Sequence, residues 1–185
     1  MASYFYSDKL SSTRLISRKL TLEDIKPWTA FFEDAESVEF IPSFGMMTAE
    51  ERSIHWIERQ LARYKEASYG LQALIDKNTN QFVGQCGLLK QDVNGITEIE
   101  VGYHILKTFR GNGFATEAAR MFINFAFENN QTHSVVSIID LNNLKSQRVA
   151  DKNSLLREKQ INWSGMNVFI YRINKSDWNF NNQNL

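Results

Sequence analysis

The residues best placed to do chemistry lie in one stretch, YHILKTFRGNGFATEAA at 103 to 119. There a predicted strand runs into the loop RGNGFA and then into an alanine-rich helix. Gly111 and Gly113 let the backbone approach a ligand closely, and the following helix turns unpaired N–H groups and the positive end of its dipole toward an anion. Arg110 adds a full positive charge. The pattern is that of a phosphate cradle. It is not a Walker loop, which needs Lys followed by Ser or Thr, nor a dinucleotide fingerprint with its three glycines. The same glycines also suit an ordinary tight turn, so the loop alone leaves both readings open.

The elements around this loop follow from periodicity. TRLISRKL (13 to 20) reads as a short strand, and Thr21 with Asp24 resembles a capping signal for a first helix. Pro27 sits too deep for a first-turn proline from that cap, so the regular helix is expected to begin near Pro27 and run to about Asp34. Thr48 and Glu51 form a T-x-x-E capping box ahead of Ile54, Ile57, Leu61 and Tyr64 at helical spacing. LQALI (71 to 75) and FVGQCGLL (82 to 89) make a hairpin, and Asn94-Gly95 turns into a third antiparallel strand, ITEIEVGYHI (96 to 105). On that strand Ile99, Val101, Tyr103 and Ile105 share one face, with Glu98, Glu100 and His104 on the other. An amphipathic helix spans Phe114 to Asn129, VVSIID (135 to 140) is a strand covered on both faces, and 144 to 153 form a further helix. REKQINW (157 to 163) and NVFIYRI (167 to 173) close the chain as a hairpin about Ser164-Gly165, and the asparagine-rich tail at 179 to 185 is expected to fray. The order predicts an α/β (α+β) domain with a mixed sheet of about seven strands and about four helices. The expectation is a single domain over 1–185 with its core at 13–175.

Composition narrows the partners. The 185 residues are 43% hydrophobic and 23% charged, enough to bury one sizeable core and against a disordered chain. Twenty-one Lys and Arg balance twenty-one Asp and Glu, which gives no electrostatic case for nucleic acid or an anionic membrane. One cysteine, Cys86, excludes an intramolecular disulfide framework, and three scattered histidines give no metal signature. With no signal-peptide pattern at MASYFYSDKLSS and no apolar run long enough to span a bilayer, a cytoplasmic location is expected.

The run Arg110-x-x-Gly113-x-Ala115 resembles the Q/R-x-x-G-x-G/A acyl-CoA signature of the GNAT superfamily of N-acetyltransferases. TRLISRKLTLEDI (13 to 25) is similar to the opening of the branch that includes the RimJ and RimL ribosomal-protein N-terminal acetyltransferases. DLNNLKSQRVADKNSL (140 to 155) resembles a later segment of that branch at Asn143, Ser146, Arg148, Val149, Ala150 and Lys152. The resemblance implies that the strand at 101 to 106 splays from the strand at 135 to 139, and that acetyl-CoA, the acetyl donor, lies in the cleft. Its pantetheine would pair with the backbone of Tyr103, His104, Ile105 and Leu106, and its pyrophosphate with Arg110, Gly111, Asn112, Gly113, Phe114, Ala115 and Thr116. Asn143 and Lys152 are carried over as further cofactor contacts. No metal is implied.

The implied reaction is acetyl transfer to a primary amine, either a protein N-terminal α-amine or a small-molecule amine. A lysine-type amine, with pKa about 10.4, lies about 3.4 units above neutral pH, roughly 4.6 kcal/mol from its reactive form, whereas an α-amine near 8 is only about one unit away. Glu100 or Glu98 would serve as base, Glu100 being nearer the expected thioester, while alternating glutamates also make a solvated face. His104 could shuttle a proton or contribute only its backbone. By motif register the tyrosine thought to protonate the leaving thiolate falls at Ala150, which leaves Ser146 as the local donor, or as a helix cap. Where the family has Gly and an aromatic after the lysine, this chain has Ser154 and Leu155, so a different turn is expected.

Acceptor choice is assigned to 31 to 47 and the closing hairpin. Phe44, Met46, Met47 and Trp56 offer either an apolar slot or plain packing, and Glu33, Asp34, Glu36 and Glu39 either attract a cation or end a solvated helix. A CoA-binding module without catalysis and an interaction protein on the same fold remain the alternatives, and a homodimer is left open.

Overall fold

A computed structural model describes residues 6–42 and 45–178. Phe44 and the tail at 179 to 185 lie outside the described residues. Seven strands form one mixed sheet: β1 (Leu15–Arg18), β2 (Leu71–Asp76), β3 (Phe82–Val93), β4 (Ile96–Ile105), β5 (Ser134–Asp140), β6 (Leu156–Trp163) and β7 (Met166–Asn174). Their order is β1-β2-β3-β4-β5-β7-β6, with every neighbouring pair antiparallel except β4 and β5. The two hairpin turns read from the sequence adopt the positive φ that such turns need, at Asn94-Gly95 (55° and 81°) and Ser164-Gly165 (51° and 82°). β3 runs four residues past the expected end, because Lys90, Gln91 and Asp92 pair with β4 beyond the apolar core and carry no hydrophobic signal.

The helices are α1 (Ile25–Glu33), α2 (Ala35–Val38), α3 (Ala49–Lys65), α4 (Phe114–Glu128) and α5 (Leu144–Lys152), one more than expected. At four residues α2 is too short to show a period; it forms because Asp34 caps it, accepting from the Ser37 N–H at 3.1 Å. The expected helix start near Pro27 is also corrected. A 3-10 turn at Leu22–Asp24 follows Thr21, and α1 begins at Ile25, which places Pro27 within the first turn, where a missing N–H breaks no helical bond. The Thr48/Glu51 box caps α3 as the sequence indicates, with Thr48 N–H to Glu51 Oε2 at 2.7 Å and Glu51 N–H to Thr48 Oγ1 at 3.2 Å.

α4 packs its Ala118, Phe122, Phe125 and Ala126 on one sheet face against Leu88 and Val101. The other face carries α1 and α3, with Trp28 and Ile57 fully buried. The turn after α5 does not differ from a glycine turn. Ser154 takes φ 60°, its N–H reaches Asp151 O at 2.9 Å, and Leu155 N–H reaches Ala150 O at 3.1 Å, which is the Schellman arrangement. Leu155, 2% exposed, fills the core at the position where the family pattern has an aromatic. Serine holds a left-handed backbone at a cost glycine avoids, so Ser154→Gly is expected to raise unfolding free energy by about 1 kcal/mol. That corresponds to a rise of roughly 2 to 4 °C in a calorimetric melt. An unchanged or lowered Tm would contradict this.

Candidate functional site

The parallel pair β4/β5 is in register only at Glu100↔Val136. Beyond that point β4 stays paired to β3, from Gly102↔Gly87 to Ile105↔Gly84, while its other edge has no strand in register. The strands therefore part, as expected for 101 to 106, and a cavity of about 940 Å³ opens between them. It is lined by Gly102 to Ile105 of β4, Ser137 to Asp140 of β5, the start of α4, one face of α5, and residues of α3.

At one end stands the N-terminus of α4. Gly113 is its N-cap at φ 81° and brings no side chain to satisfy the first N–H groups, so those of a 15-residue helix remain available to a ligand. An anion-shaped cradle of this kind fits phosphate. Gly111 (φ 80°), Gly113, Phe114, Ala115 and Thr116 line the cavity. Asn112 and Leu106 are not among its walls; Asn112 instead braces the loop, donating Nδ2 to Phe109 O at 3.2 Å. The helix end is fixed by a contact that sequence reading missed. Glu117 accepts from the Arg14 N–H and Arg14 Nε, both at 2.7 Å, and from Ser12 Oγ at 2.8 Å. An acid in the first turn of an uncapped helix was the available signal.

Arg110 lines the cavity but its charge is already engaged. Nη1 lies 3.1 Å from Asp34 Oδ2 and 3.4 Å from Glu36 Oε2, Nη2 donates to Ser37 Oγ, and Nε donates to Ile105 O at 3.1 Å. Lys107 pairs with Asp34 at 2.9 Å, and Lys145 with Glu36. Two members of the acidic cluster thus clasp α2 to the loop between β4 and α4. The Ser37 hydroxyl and Lys107, with Arg110 adding, hold the Asp34 carboxyl down to about 2.

On the α1/α3 side lies Glu100, 9% exposed, accepting from Gln91 Nε2 at 2.7 Å and the Ile138 N–H at 3.3 Å. Burial pushes its carboxyl up against the opposing pull of those hydrogen bonds and of Arg63. Glu98 is not on the cavity wall. Arg172 holds it bidentately, Nη2 to Oε1 at 2.6 Å and Nη1 to Oε2 at 3.0 Å, which ties β4 to β7. His104 lines the wall edge-on to Trp56 and Phe31, ring centroids 5.1 and 5.6 Å away, and burial pulls it down to about 4, so it is neutral at physiological pH.

On the α5 side, Asn143 Oδ1 caps the helix by accepting from the Ser146 N–H at 3.0 Å, leaving Nδ2 for a ligand. Ser146 and Lys152 line the cavity, Lys152 exposed at its edge. Ala150 is 1% exposed in the core and off the cavity wall. Tyr103 crosses the gap instead, its hydroxyl donating to Ser146 O at 2.9 Å, with burial pushing its pKa up. Met46 and Met47 are exposed and off the wall, whereas Trp56 lines it and donates Nε1 to Gln85 Oε1 at 2.9 Å.

Among the described residues no group of three metal-ligating side chains comes together, and no helix is long and apolar enough to cross a membrane. Residues 14–155 match the acetyltransferase (GNAT) domain family. The chain is 29% identical over 169 residues to YkkB of Bacillus subtilis (strain 168), covering 87% of this chain and 95% of that one. Among solved structures, the acetyltransferase (GNAT family) from Bacillus anthracis has a TM-score of 0.75 at 21% identity, over 91% of this chain and 99% of that one. Mycobacterium smegmatis RimJ, solved in complex with CoA-disulfide, has a TM-score of 0.73 at 18% identity, over 86% and 81%. At these identities the solved structures share the fold.

The depressed Asp34 pKa fixes a sign. A carboxylate held at about 2 contributes stability that is complete above its ordinary value of 3.8 and is lost as pH falls toward about 2. Asp34→Asn is expected to lower unfolding free energy by roughly 2 kcal/mol at pH 7, as for the loss of charged hydrogen bonds. The gap from the parent is essentially the same in urea melts at pH 7 and pH 5 and narrows at pH 3 and again near pH 2; an equal gap at all of these pH values would contradict this.

Proposed function

The chain belongs to the GNAT family of acetyltransferases, and we propose that it transfers an acetyl group from acetyl-CoA directly to a primary amine, a protein N-terminal α-amine or a small-molecule amine. One observation carries this: a single cavity joins an uncapped helix N-terminus to a buried carboxylate across a strand pair that has come apart. The bound thioester supplies an acyl carbon open to amine attack and a thiol as leaving group.

In this proposal the residues of the chain divide the work. The N–H groups from Gly111 to Thr116 hold the pyrophosphate, and Asn143 Nδ2 and Lys152 hold further polar groups of the cofactor. The open edge of β4 at Tyr103, His104 and Ile105 offers backbone donors and acceptors to the pantetheine amides. Glu100 takes the proton of the attacking amine, and the burial that raises its pKa makes it a stronger base than an exposed glutamate. Neutral His104 keeps a second charge away from the reacting carbonyl. With Ala150 in the core and the Tyr103 hydroxyl already donating to Ser146 O, the Ser146 hydroxyl is the local donor to the departing sulfur. Since an ordinary thiol has a pKa near 8.5, the thiolate leaves with little help. The buried Ala150 also favours a second reading, a CoA-binding module that has lost transfer.

Acetyl-CoA is expected to raise the Tm of the parent, since it binds the folded state, and not that of Gly113→Glu, which forces a side chain onto a left-handed backbone (φ 81°) with its Cβ 3.4 Å from Arg14 Nη2 and so disturbs the loop ahead of α4. Absence of a shift at saturating acetyl-CoA would overturn cofactor binding. Glu100→Gln should lower kcat roughly 100-fold while keeping the shift. In the parent, kcat/KM rises with pH through a value above the ordinary glutamate pKa, because the base works only when deprotonated. The variant loses that limb. A variant with full kcat would remove Glu100 from the mechanism, and a parent that binds acetyl-CoA but releases no CoA with any amine would favour the module.

A further inference from the structure

On its α3 side the cavity carries positive charge that no ion pair among the described residues neutralises. α3 turns Arg59, Gln60 and Arg63 toward it on one helical face. Neither arginine forms an ion pair among the described residues, in contrast to Arg110 and Lys145, whose charges are met by Asp34 and Glu36. Arg63 is half-buried and held in place: its Nη1 donates to Gln60 Oε1 at 3.0 Å, and the same oxygen accepts the Leu71 N–H at 3.0 Å. Among the described residues its hydrogen-bond partner is therefore a neutral amide. The nearest acting carboxylate, Glu100, is turned to Gln91 and the Ile138 N–H and makes no ion pair with it. Burial, and then the like charge of Arg59, both weigh against the Arg63 cation.

Two adjacent guanidinium groups without a counter-ion, one of them drawn out of water, repel one another at a cost that an incoming anion would relieve. A guanidinium fork suits a carboxylate, which can accept two parallel hydrogen bonds. A polyamine or a lysine-rich segment would meet repulsion at the same wall.

We propose that the acceptor carries a carboxylate alongside its amine, and that Arg59 and Arg63 hold this carboxylate while the amino group faces Glu100. The inference rests on the acetyltransferase reading above and names its substrate class. Two sources share this chemistry, a free amino acid and a peptide whose N-terminal region is acidic.

The test measures CoA release with matched pairs: free amino acids against their amides, and amidated tetrapeptides with Asp against Asn in the first two positions. In at least one series the acid is expected to have a KM about ten-fold or more below its neutral partner, as for loss of a charged hydrogen bond. Preference among free amino acids assigns a small metabolite, and preference among peptides assigns a protein N-terminus. Arg63→Gln and, separately, the more exposed Arg59→Gln collapse the acid-to-amide ratio toward one, whereas Arg63→Lys keeps most of it. Equal use of acid and amide by the parent overturns this proposal and leaves the transferase standing. A ratio untouched in both glutamine variants overturns it too. Failure to bind acetyl-CoA, read by thermal shift, strikes instead at the transferase on which it rests.

Discussion

The site depends on one broken ladder. β4 and β5 meet at Glu100↔Val136 and then separate, and the separation is sustainable because each strand has a full partner on its other side, β3 for β4 and β7 for β5. Backbone groups that would ordinarily close a sheet are instead left facing a cavity, where a ligand rich in amides can satisfy them. The position of the parting also decides which side chains matter. Glu100 sits at the one position where β4 and β5 pair, so its carboxylate reaches the Ile138 N–H across the opening, while Glu98, two residues earlier, is off the cavity wall and held by Arg172.

Charge is distributed along the cavity with the same economy. Arg14 is spent on Glu117 to fix the start of α4, and Arg172 on Glu98 and Glu158 to join the closing hairpin to the sheet. Arg110 is spent on α2. Among the described residues, Arg59 and Arg63 on α3, like Arg148 and Lys152 on α5, line the cavity without an ion pair, and the two on α3 stand next to each other on one helical face. In a chain with no net charge, local imbalance of this kind carries more information than the total.

Much of this was legible in advance, and the reasons are physical. The glycine loop, the capping box at Thr48 and the hairpin turns are local devices whose geometry follows from residue type, and each appears where the sequence puts it. α2 was not legible, because four residues held by an Asp34 cap have no periodicity. Pro27 misled because the 3-10 turn ahead of it shifts the helix start without changing the residues. Ser154 misled differently: residue type suggested a new turn, but the Schellman hydrogen bonds impose the left-handed conformation on serine. Glu100 was preferred to Glu98 only for its expected place on the strand; that Arg172 would hold Glu98 could not be read, since both lie on one face of one strand and differ in what the neighbouring chain does beside them. The arginines of α3 belong to the same class, recognisable only once their missing partners are known.

The clasp between α2 and the loop ahead of α4 has a consequence for how a polyanion would enter under the proposed function. Arg110 and Lys145 on the cleft wall, and Lys107 beside them, come with counter-ions built into the chain, so under the proposed function an arriving phosphate would exchange partners with Asp34 and Glu36 instead of neutralising bare cations. Added salt screens the resident pairs and the incoming ones together. Ionic strength then acts on both sides of the exchange, and the cleft's grip on its ligand is buffered against the ionic medium to a degree that counting its basic residues would not suggest.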